Sequence, residues 1–387
     1  MLYTRFFMKR INVGMLGTGF MGKVHTEQIR RLGYVDVVSI AGSSPEKAAR
    51  GAAEMGIPHA ARDWQSLCAD PKIDAVHICT PNALHFPQAK LAMENGKHVL
   101  CEKPLTMNSA EAKKLVDLAA KKGVVHCIQH NLRNYPLVQH AKAMIAAGDI
   151  GDPLVVQGTY SQDWLLYDTD YNWRIESKHN GVLRAMGDIG SHWMDSIQFL
   201  TGLNITAVCG DLTTFHKTRK KPKTSIETFA GKKLKPPDYE EVPIDTDDFG
   251  MVMLQLGERA RGAFTVSQVS AGCKNSFRWE IYGTKGGVSW NQERPDELWV
   301  GNRNSPNQVV IKDPSLMKGA AASYADLPGG HSEGYDDSHK QMFKRFYHKI
   351  ANPKSAADFP TFADGWHGMK CLEAVLKSHQ TRKWVKV

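Results

Sequence analysis

Three clusters of residues in this 387-residue chain have the types and spacing that chemistry needs. Gly17-Thr18-Gly19-Phe20-Met21-Gly22 is a G-x-G-x-x-G run. After a first strand, such a run allows a tight turn at Gly17, close backbone approach to a pyrophosphate at Gly19 and helix-on-strand packing at Gly22. The helix it opens then offers its N–H groups and positive dipole end to phosphate oxygens. Cys101-Glu102-Lys103-Pro104 puts a lysine where one strand ends, and Thr80-Pro81-Asn82, with His85 just beyond, ends the strand before it. Carboxyl ends of parallel strands line a ligand crevice, so Lys103 is expected where cofactor and substrate meet. Asp188 and His192 are four apart in Gly187 to Asp195, hence on one face if that turn is helical. Oxidising an alcohol needs a base for the hydroxyl proton while a hydride leaves, and histidine titrates in the useful range. A neighbouring carboxylate orients the imidazole and raises its basicity.

The elements that must position these groups follow from the apolar pattern. Strands are expected at 10–16, 35–41, 74–79, 97–101 and 124–128, alternating with helices at 21–32, after Pro45, at 83–94 and from Ser109 to Lys122. This rhythm means a doubly wound parallel sheet, a Rossmann-type α/β domain, over residues 9–130. Beyond it the pattern changes. A helix is expected near 136–147 and another near 187–201. Strand-like runs follow at 153–161, 205–213, 248–256, 260–269, 277–283, 286–290 and 297–301, with a closing helix at about 361–379. Residues 131–387 therefore read as a second domain on an antiparallel sheet.

At the end of the second strand, an acid near position 42 would select the ribose hydroxyls of NAD. The chain has Gly42-Ser43-Ser44 instead, with Lys47 nearby. Gly42 leaves room for a 2′-phosphate, the serines can donate hydrogen bonds and Lys47 supplies charge. NAD(P) is the expected cofactor, with a lean toward NADP and NAD left open.

Composition excludes several other classes. No run of about 18 apolar residues suits a membrane helix, and residues 1–10 hold too short an apolar stretch for a secretory signal. A cytoplasmic location is expected. Seven cysteines, widely spaced and without C-x-x-C, support neither a disulfide framework nor a metal site. The net charge of +9 is largely local: residues 217–235 hold eight lysines and arginines against Glu227 alone. That stretch reads as a solvated loop, since neither aromatic interleaving nor a basic helix accompanies it to bind nucleic acid.

With Glu102-Lys103-Pro104, Thr80-Pro81-Asn82, His85, Asp188 and His192 in place, the chain resembles the glucose–fructose oxidoreductase / inositol 2-dehydrogenase / MocA (Gfo/Idh/MocA) family over nearly its whole length. The resemblance implies a Rossmann domain followed by an α/β domain with a large, open, mostly antiparallel sheet, which commonly forms a dimer or tetramer interface. It implies that Lys103 contacts the reacting hydroxyl and the nicotinamide ribose, and that Asp188 and His192 form the catalytic group, with His192 accepting the proton. Trp173-Arg174 is similar to a pair that touches the nicotinamide end in some members. Gln129, His130 and Arg133 fall where members place further contacts. The chain departs from the family in having Asn180-Gly181 where a Gly-Gly pair is frequent, and in lacking the ribose acid.

Gln162, Asp163, Trp164, Tyr167, Asp170, Tyr171 and His331 lie in aromatic- and polar-rich loops of the second domain. Aromatic faces stack on C–H groups while polar tips bind hydroxyls, which suits a sugar, an inositol or a related glycoside. The expected activity is hydride transfer between NAD(P) and a hydroxyl or keto group of such a substrate, in a site that draws on both domains. Two alternatives stay open: a glycosidase or lyase that oxidises its substrate only transiently, and a dinucleotide-binding regulator without catalysis.

Overall fold

The structure is a computed structural model that describes residues 10–223 and 238–387. The leader and part of the basic run, including Glu227, Lys232, Lys233 and Lys235, lie outside the described residues.

In chain order the elements begin β1 (Ile11–Leu16), α1 (Phe20–Arg30), β2 (Val35–Ala41), α2 (Pro45–Met55), β3 (His59–Ala60), α3 (Trp64–Ala69), β4 (Ala75–Ile78), α4 (His85–Glu94), β5 (His98–Cys101), α5 (Ser109–Lys122) and β6 (His126–Ile128). They continue with α6 (Pro136–Ala146), β7 (Pro153–Ser161), α7 (Ser177–Asn180), a π turn at Met186–Gly190, α8 (Ser191–Thr201), β8 (Ile205–Thr213), β9 (Thr218–Pro222) and β10 (Tyr239–Pro243). Last come β11 (Phe249–Leu256), β12 (Ala260–Ser267), β13 (Ser276–Gly283), β14 (Gly286–Asn291), β15 (Glu297–Asn302), β16 (Gln308–Ile311), α9 (Tyr335–Ala351), α10 (Phe362–Thr381) and β17 (Val385–Lys386).

Contacts divide the chain into two units, each described by itself. The first comprises residues up to Thr106, Ala110–Gln129 and His339–Trp366. Its six strands are all parallel, in the order β3-β2-β1-β4-β5-β6. Strands covered on both faces read as continuous apolar runs. Accordingly Val13, Met15, Leu16, Val76, Ile78, Val99 and Leu100 are all fully buried. The segment His339–Trp366, which the sequence reading counted with the second domain, belongs to this unit. Met342, Phe343, Phe346 and Tyr347 of α9 join Val13, Met15, Ile40 and Leu100 in one buried cluster.

The second unit holds a nine-stranded sheet, β16-β15-β14-β13-β7-β12-β11-β8-β17, in which only β7 and β12 run parallel among its neighbours. Its covered face is aromatic: Trp193 of α8 stacks on Phe264, ring centres 4.3 Å apart, and Trp279 lies beside Trp290. Gly158 makes this possible, because a Cβ there would sit 2.8 Å from the Trp193 indole nitrogen and 2.2 Å from the Arg278 carbonyl oxygen. The opposite face presents exposed apolar side chains among the described residues. Along β11, buried Val252 and Leu254 alternate with Met251 and Met253, each 49% exposed.

Two expectations need correction. The basic stretch is not simply a solvated loop, because β9 pairs antiparallel with β10 and its Arg219 is completely buried. Nor is 187–201 one regular helix: its first turn is the π turn, and α8 begins at Ser191. The wider i→i+5 winding still keeps Asp188 and His192 on the same side of the element.

Candidate active site

In the first unit the expected residues gather along one sheet edge. Gly17, Cys79, Glu102 and Gln129 follow β1, β4, β5 and β6 directly, and their N–H groups bond to Ala41, Leu16, Ile78 and Cys101 carbonyls at 2.8–2.9 Å. The loop fits a pyrophosphate. Gly17 has φ +112°, and a Cβ on it would lie 2.5 Å from the Cys79 carbonyl oxygen. A Cβ on Gly22 would lie 2.2 Å from the Gly17 oxygen, while one on Gly19 would meet nothing within 4 Å. Gly19 also caps α1 and has no side chain to cover the first amides of that helix. Thr18 packs its methyl toward Gly51 of α2, where a Cβ would come within 2.7 Å. Phe20 and Met21 open α1, with Phe20 45% exposed.

Near the expected ribose end, Ser44 is the N-cap of α2, accepting from the Lys47 amide at 3.3 Å. Ser43 and Lys47 are exposed, and a Cβ on Gly42 would come within 2.9 Å of the Ala48 nitrogen. An acid at 42 has no room without a shift of α2.

Thr80, Pro81 and Asn82 lead into α4, and the Thr80 hydroxyl donates to Gln88 at 2.7 Å. His85 is fully buried, with its ring nitrogens 2.8 Å from the Pro104 oxygen and 2.9 Å from the Thr80 oxygen. It therefore ties the two strand-end motifs together. Glu102 lies beneath Lys103, whose amide donates to its carboxylate at 3.2 Å. Burial pushes the Glu102 carboxyl up, but the hydrogen bond and charge of His25, with Lys103 adding to them, hold it below its ordinary value. Behind it runs a chain that sequence reasoning missed: His25 lies 3.2 Å from Glu102 and 2.9 Å from His77, which lies 2.7 Å from the Tyr347 hydroxyl. Gln129 bonds His339 of α9, a buried histidine that desolvation pushes down to about 3.

In the second unit, His192 is buried, with the His130 ring 5.4 Å and the Tyr160 ring 6.3 Å away. His130 lies 3.8 Å from Asp195. Arg133 grips the same Asp195 with two nitrogens, at 2.7 and 2.5 Å, and rests over Phe199. It thus braces this neighbourhood. Asp188 accepts from Gln268 at 2.9 Å, and Arg174, stacked on Trp173, lies 3.8 Å from its other oxygen. The Trp173-Arg174 pair thus sits beside the candidate catalytic carboxylate.

The loop residues expected to bind hydroxyls bond mostly to protein. Gln162 donates to Asn275 and accepts from the Trp164 indole, each at 2.8 Å, and Tyr160 donates to the same Asn275 oxygen. Asp163 pairs with Lys274 at 2.7 Å. Asp170 accepts from the Tyr167 amide, and Tyr171 donates to Glu176. Tyr167 is 63% exposed. His331 is exposed on a loop whose carbonyls grip the buried Lys312, itself paired with Glu333 at 2.7 Å. Gln268, Arg184, Asp248 and Arg219 were not anticipated. Gln268 directly follows β12, Asp248 directly precedes β11, Arg219 lies within β9 and Arg184 in the loop before the π turn, so they share no local pattern.

Comparison with known proteins agrees with this architecture. Residues 11–130 match the GFO_IDH_MocA family, described as an oxidoreductase family with an NAD-binding Rossmann fold, and residues 138–289 match the GFO/IDH/MocA C-terminal domain. Levoglucosan dehydrogenase of Pseudarthrobacter phenanthrenivorans is 32% identical over 98% of this chain and 99% of its own. The solved structure of levoglucosan dehydrogenase with NADH and L-sorbose superposes with a TM-score of 0.88, at 31% identity over 98% of this chain and 99% of that one. A 1,5-anhydro-D-fructose reductase of Ensifer adhaerens is 36% identical over 77% of this chain and 82% of its own. The chain belongs to the Gfo/Idh/MocA family and is an NAD(P)-dependent oxidoreductase of the sugar-dehydrogenase kind.

Proposed function

We propose that the protein oxidises a ring hydroxyl of levoglucosan or a related cyclic sugar, or reduces the corresponding ketone. The observation carrying this reading is the end-to-end likeness to levoglucosan dehydrogenase, together with Lys103, Asp188 and His192 at the expected elements. The loop Gly17–Gly22 with the first amides of α1 would hold the pyrophosphate, and the carboxyl-edge residues near Thr80, Glu102 and Gln129 would flank the rest of the dinucleotide. When bound, the nicotinamide accepts or returns the hydride. Lys103 donates a hydrogen bond to the reacting oxygen and lowers the cost of its negative charge. His192 takes the hydroxyl proton, and the Asp188 charge favours the imidazolium that results. Gln162, Asp163, Trp164, Arg133 and His331 remain candidates for the substrate's surroundings, with their protein partners limiting what each can offer.

With Gly42 crowded and Ser43 and Lys47 exposed, the ribose end favours a 2′-phosphate, so NADP is the proposed preference. The face carrying Met251 and Met253 is proposed to pair with a second copy of the chain. The Met251→Glu/Met253→Glu variant should then be monomeric by light scattering, and an unchanged mass would refute that assignment.

The test is a panel of levoglucosan, D-xylose, glucose and myo-inositol with NAD and NADP side by side. The expected result is reduced cofactor formed in step with oxidised sugar. Release of an aglycone without net cofactor reduction would favour a transient-redox lyase. Cofactor binding without turnover on any sugar or glycoside would overturn the reading.

A further inference from the structure

Behind Asp188 stands a buried network that none of the residue roles above requires. Gln268, just past β12, donates from its amide to Asp188 at 2.9 Å and accepts from Arg184 at 3.2 Å. Arg184 also bonds Asp248, and Asp248 accepts from Arg219 at 2.9 Å. Arg219 then donates to three backbone carbonyls of one loop: Leu165 at 2.9 Å, Tyr167 at 2.8 Å and Asp170 at 3.0 Å. Gln268, Arg184, Arg219 and Asp248 have no solvent exposure. The remaining bonds close the frame. The Gln268 carbonyl accepts from the Leu165 amide, and Asp248 accepts from the Phe215 and His216 amides. Neighbouring Asp247 accepts from the Arg184 and Met186 amides at the start of the π turn.

Two guanidinium groups share one carboxylate here, in a buried setting where a charge tolerates little displacement. An amide between Arg184 and Asp188 has one permitted orientation, because its oxygen must face the cation and its N–H₂ the anion. We infer that Gln268 is a positioning residue for Asp188, and that the Arg184–Asp248–Arg219 cluster couples that carboxylate to the backbone of the 163–171 loop. The inference rests on the proposed role of Asp188 in the catalytic group. Its consequence is that substrate seating at the loop and the placement of Asp188 are not independent.

Gln268→Glu and Arg219→Lys, made in the full chain, test it. Gln268→Glu replaces the donor with a carboxylate oxygen facing Asp188, among Arg174, Arg184, Tyr160 and His192. Two carboxylates sharing one place cannot both ionise at their ordinary values. With levoglucosan as probe, the acid limb of kcat/KM should move up by at least one pH unit, while the NADPH dissociation constant stays unchanged. Arg219→Lys should speed amide exchange tenfold or more in two separate segments, 163–172 and 186–192, without any substrate present. An unshifted pH profile in Gln268→Glu, or faster exchange confined to 163–172 in Arg219→Lys, overturns the coupling. Wild-type turnover by Asp188→Asn would instead remove the role of Asp188, a failure the exchange measurement distinguishes because it needs no catalysis.

Discussion

Gly17 and Gly19 are two residues apart in one loop, yet adding a methyl group should have opposite effects at the two positions. At Gly19 the backbone has φ −82°, open to any residue, and a Cβ meets no atom within 4 Å. Gly19→Ala should leave stability unchanged or raise it by up to ~0.5 kcal/mol through a less flexible unfolded chain. At Gly17, φ +112° costs an L-residue about 1–3 kcal/mol. A Cβ lying 2.5 Å from the Cys79 carbonyl oxygen and 2.9 Å from its carbon adds a clash of about 1–3 kcal/mol, because backbone cannot swing aside. Gly17→Ala should therefore lose roughly 2–6 kcal/mol, enough to unfold a marginal domain. Binding should reverse the order of visibility. The new methyl of Gly19→Ala occupies the space through which a pyrophosphate reaches the α1 amides, so affinity for NADH or NADPH should fall tenfold or more, about 1.4 kcal/mol. Urea denaturation and fluorescence titration of the two variants measure both quantities. If Gly19→Ala binds the dinucleotide as tightly as wild type, the phosphates do not cross that glycine. If Gly17→Ala keeps the wild-type midpoint, the steric reasoning fails.

Lys103→Met should lower turnover on a confirmed sugar by more than tenfold, and wild-type rates would refute its contact with the reacting oxygen. Phe346→Ala removes a fully buried ring from the first unit's core and should cost about 3–5 kcal/mol in urea denaturation; an unchanged midpoint would show that α9 contributes little to that core. Acid should also destabilise the first unit. Desolvation, with the charge of His25, holds His339 at about 3 against an ordinary 6.5, so the folded state keeps it neutral while the unfolded chain takes up a proton. That stability is complete above pH 6.5 and is lost as pH falls toward 3, by about 2 kcal/mol at pH 5. His126, held by burial at about 4, acts in the same direction. Urea midpoints compared at pH 7.5 and 5 check the sign, and a rise on acidification would refute it.

The Rossmann strands were legible because parallel strands buried on both faces leave short, mostly apolar runs between glycines, as Ile11 to Leu16 and Val35 to Ala41 do. β3 left no such trace: His59 and Ala60 are both exposed, and only two residues pair. α3 is six residues long, and its clearest mark is the Asp63–Ser66 capping box. The second sheet was legible through alternation, yet β9 was hidden because lysines flank the one buried position, Arg219. For the site, residue type located Lys103, Asp188 and His192. What type alone does not reveal is which polar tips already have partners. The Ser44 hydroxyl, expected at the ribose, also caps α2, and Arg133, expected among the active-site contacts, also grips Asp195. Partners such as Asp195, 62 residues along the chain, leave no local pattern.

The late segment in the first unit's core sets an order of events during synthesis. The six parallel strands are complete once residue 128 has been made, but Phe343, Phe346 and Tyr347 arrive more than two hundred residues later. At translation rates of 5–20 residues per second, that gap lasts roughly 10–40 seconds. Throughout it, the apolar surface that α9 will cover stays uncovered by α9, and the imidazole of His77 has His25 beside it but not yet the Tyr347 hydroxyl. The nucleotide-binding unit, although encoded first, is therefore not finished until α9 has been made. A fragment cut near residue 130 should be sticky and poorly folded, however complete its strand pattern looks.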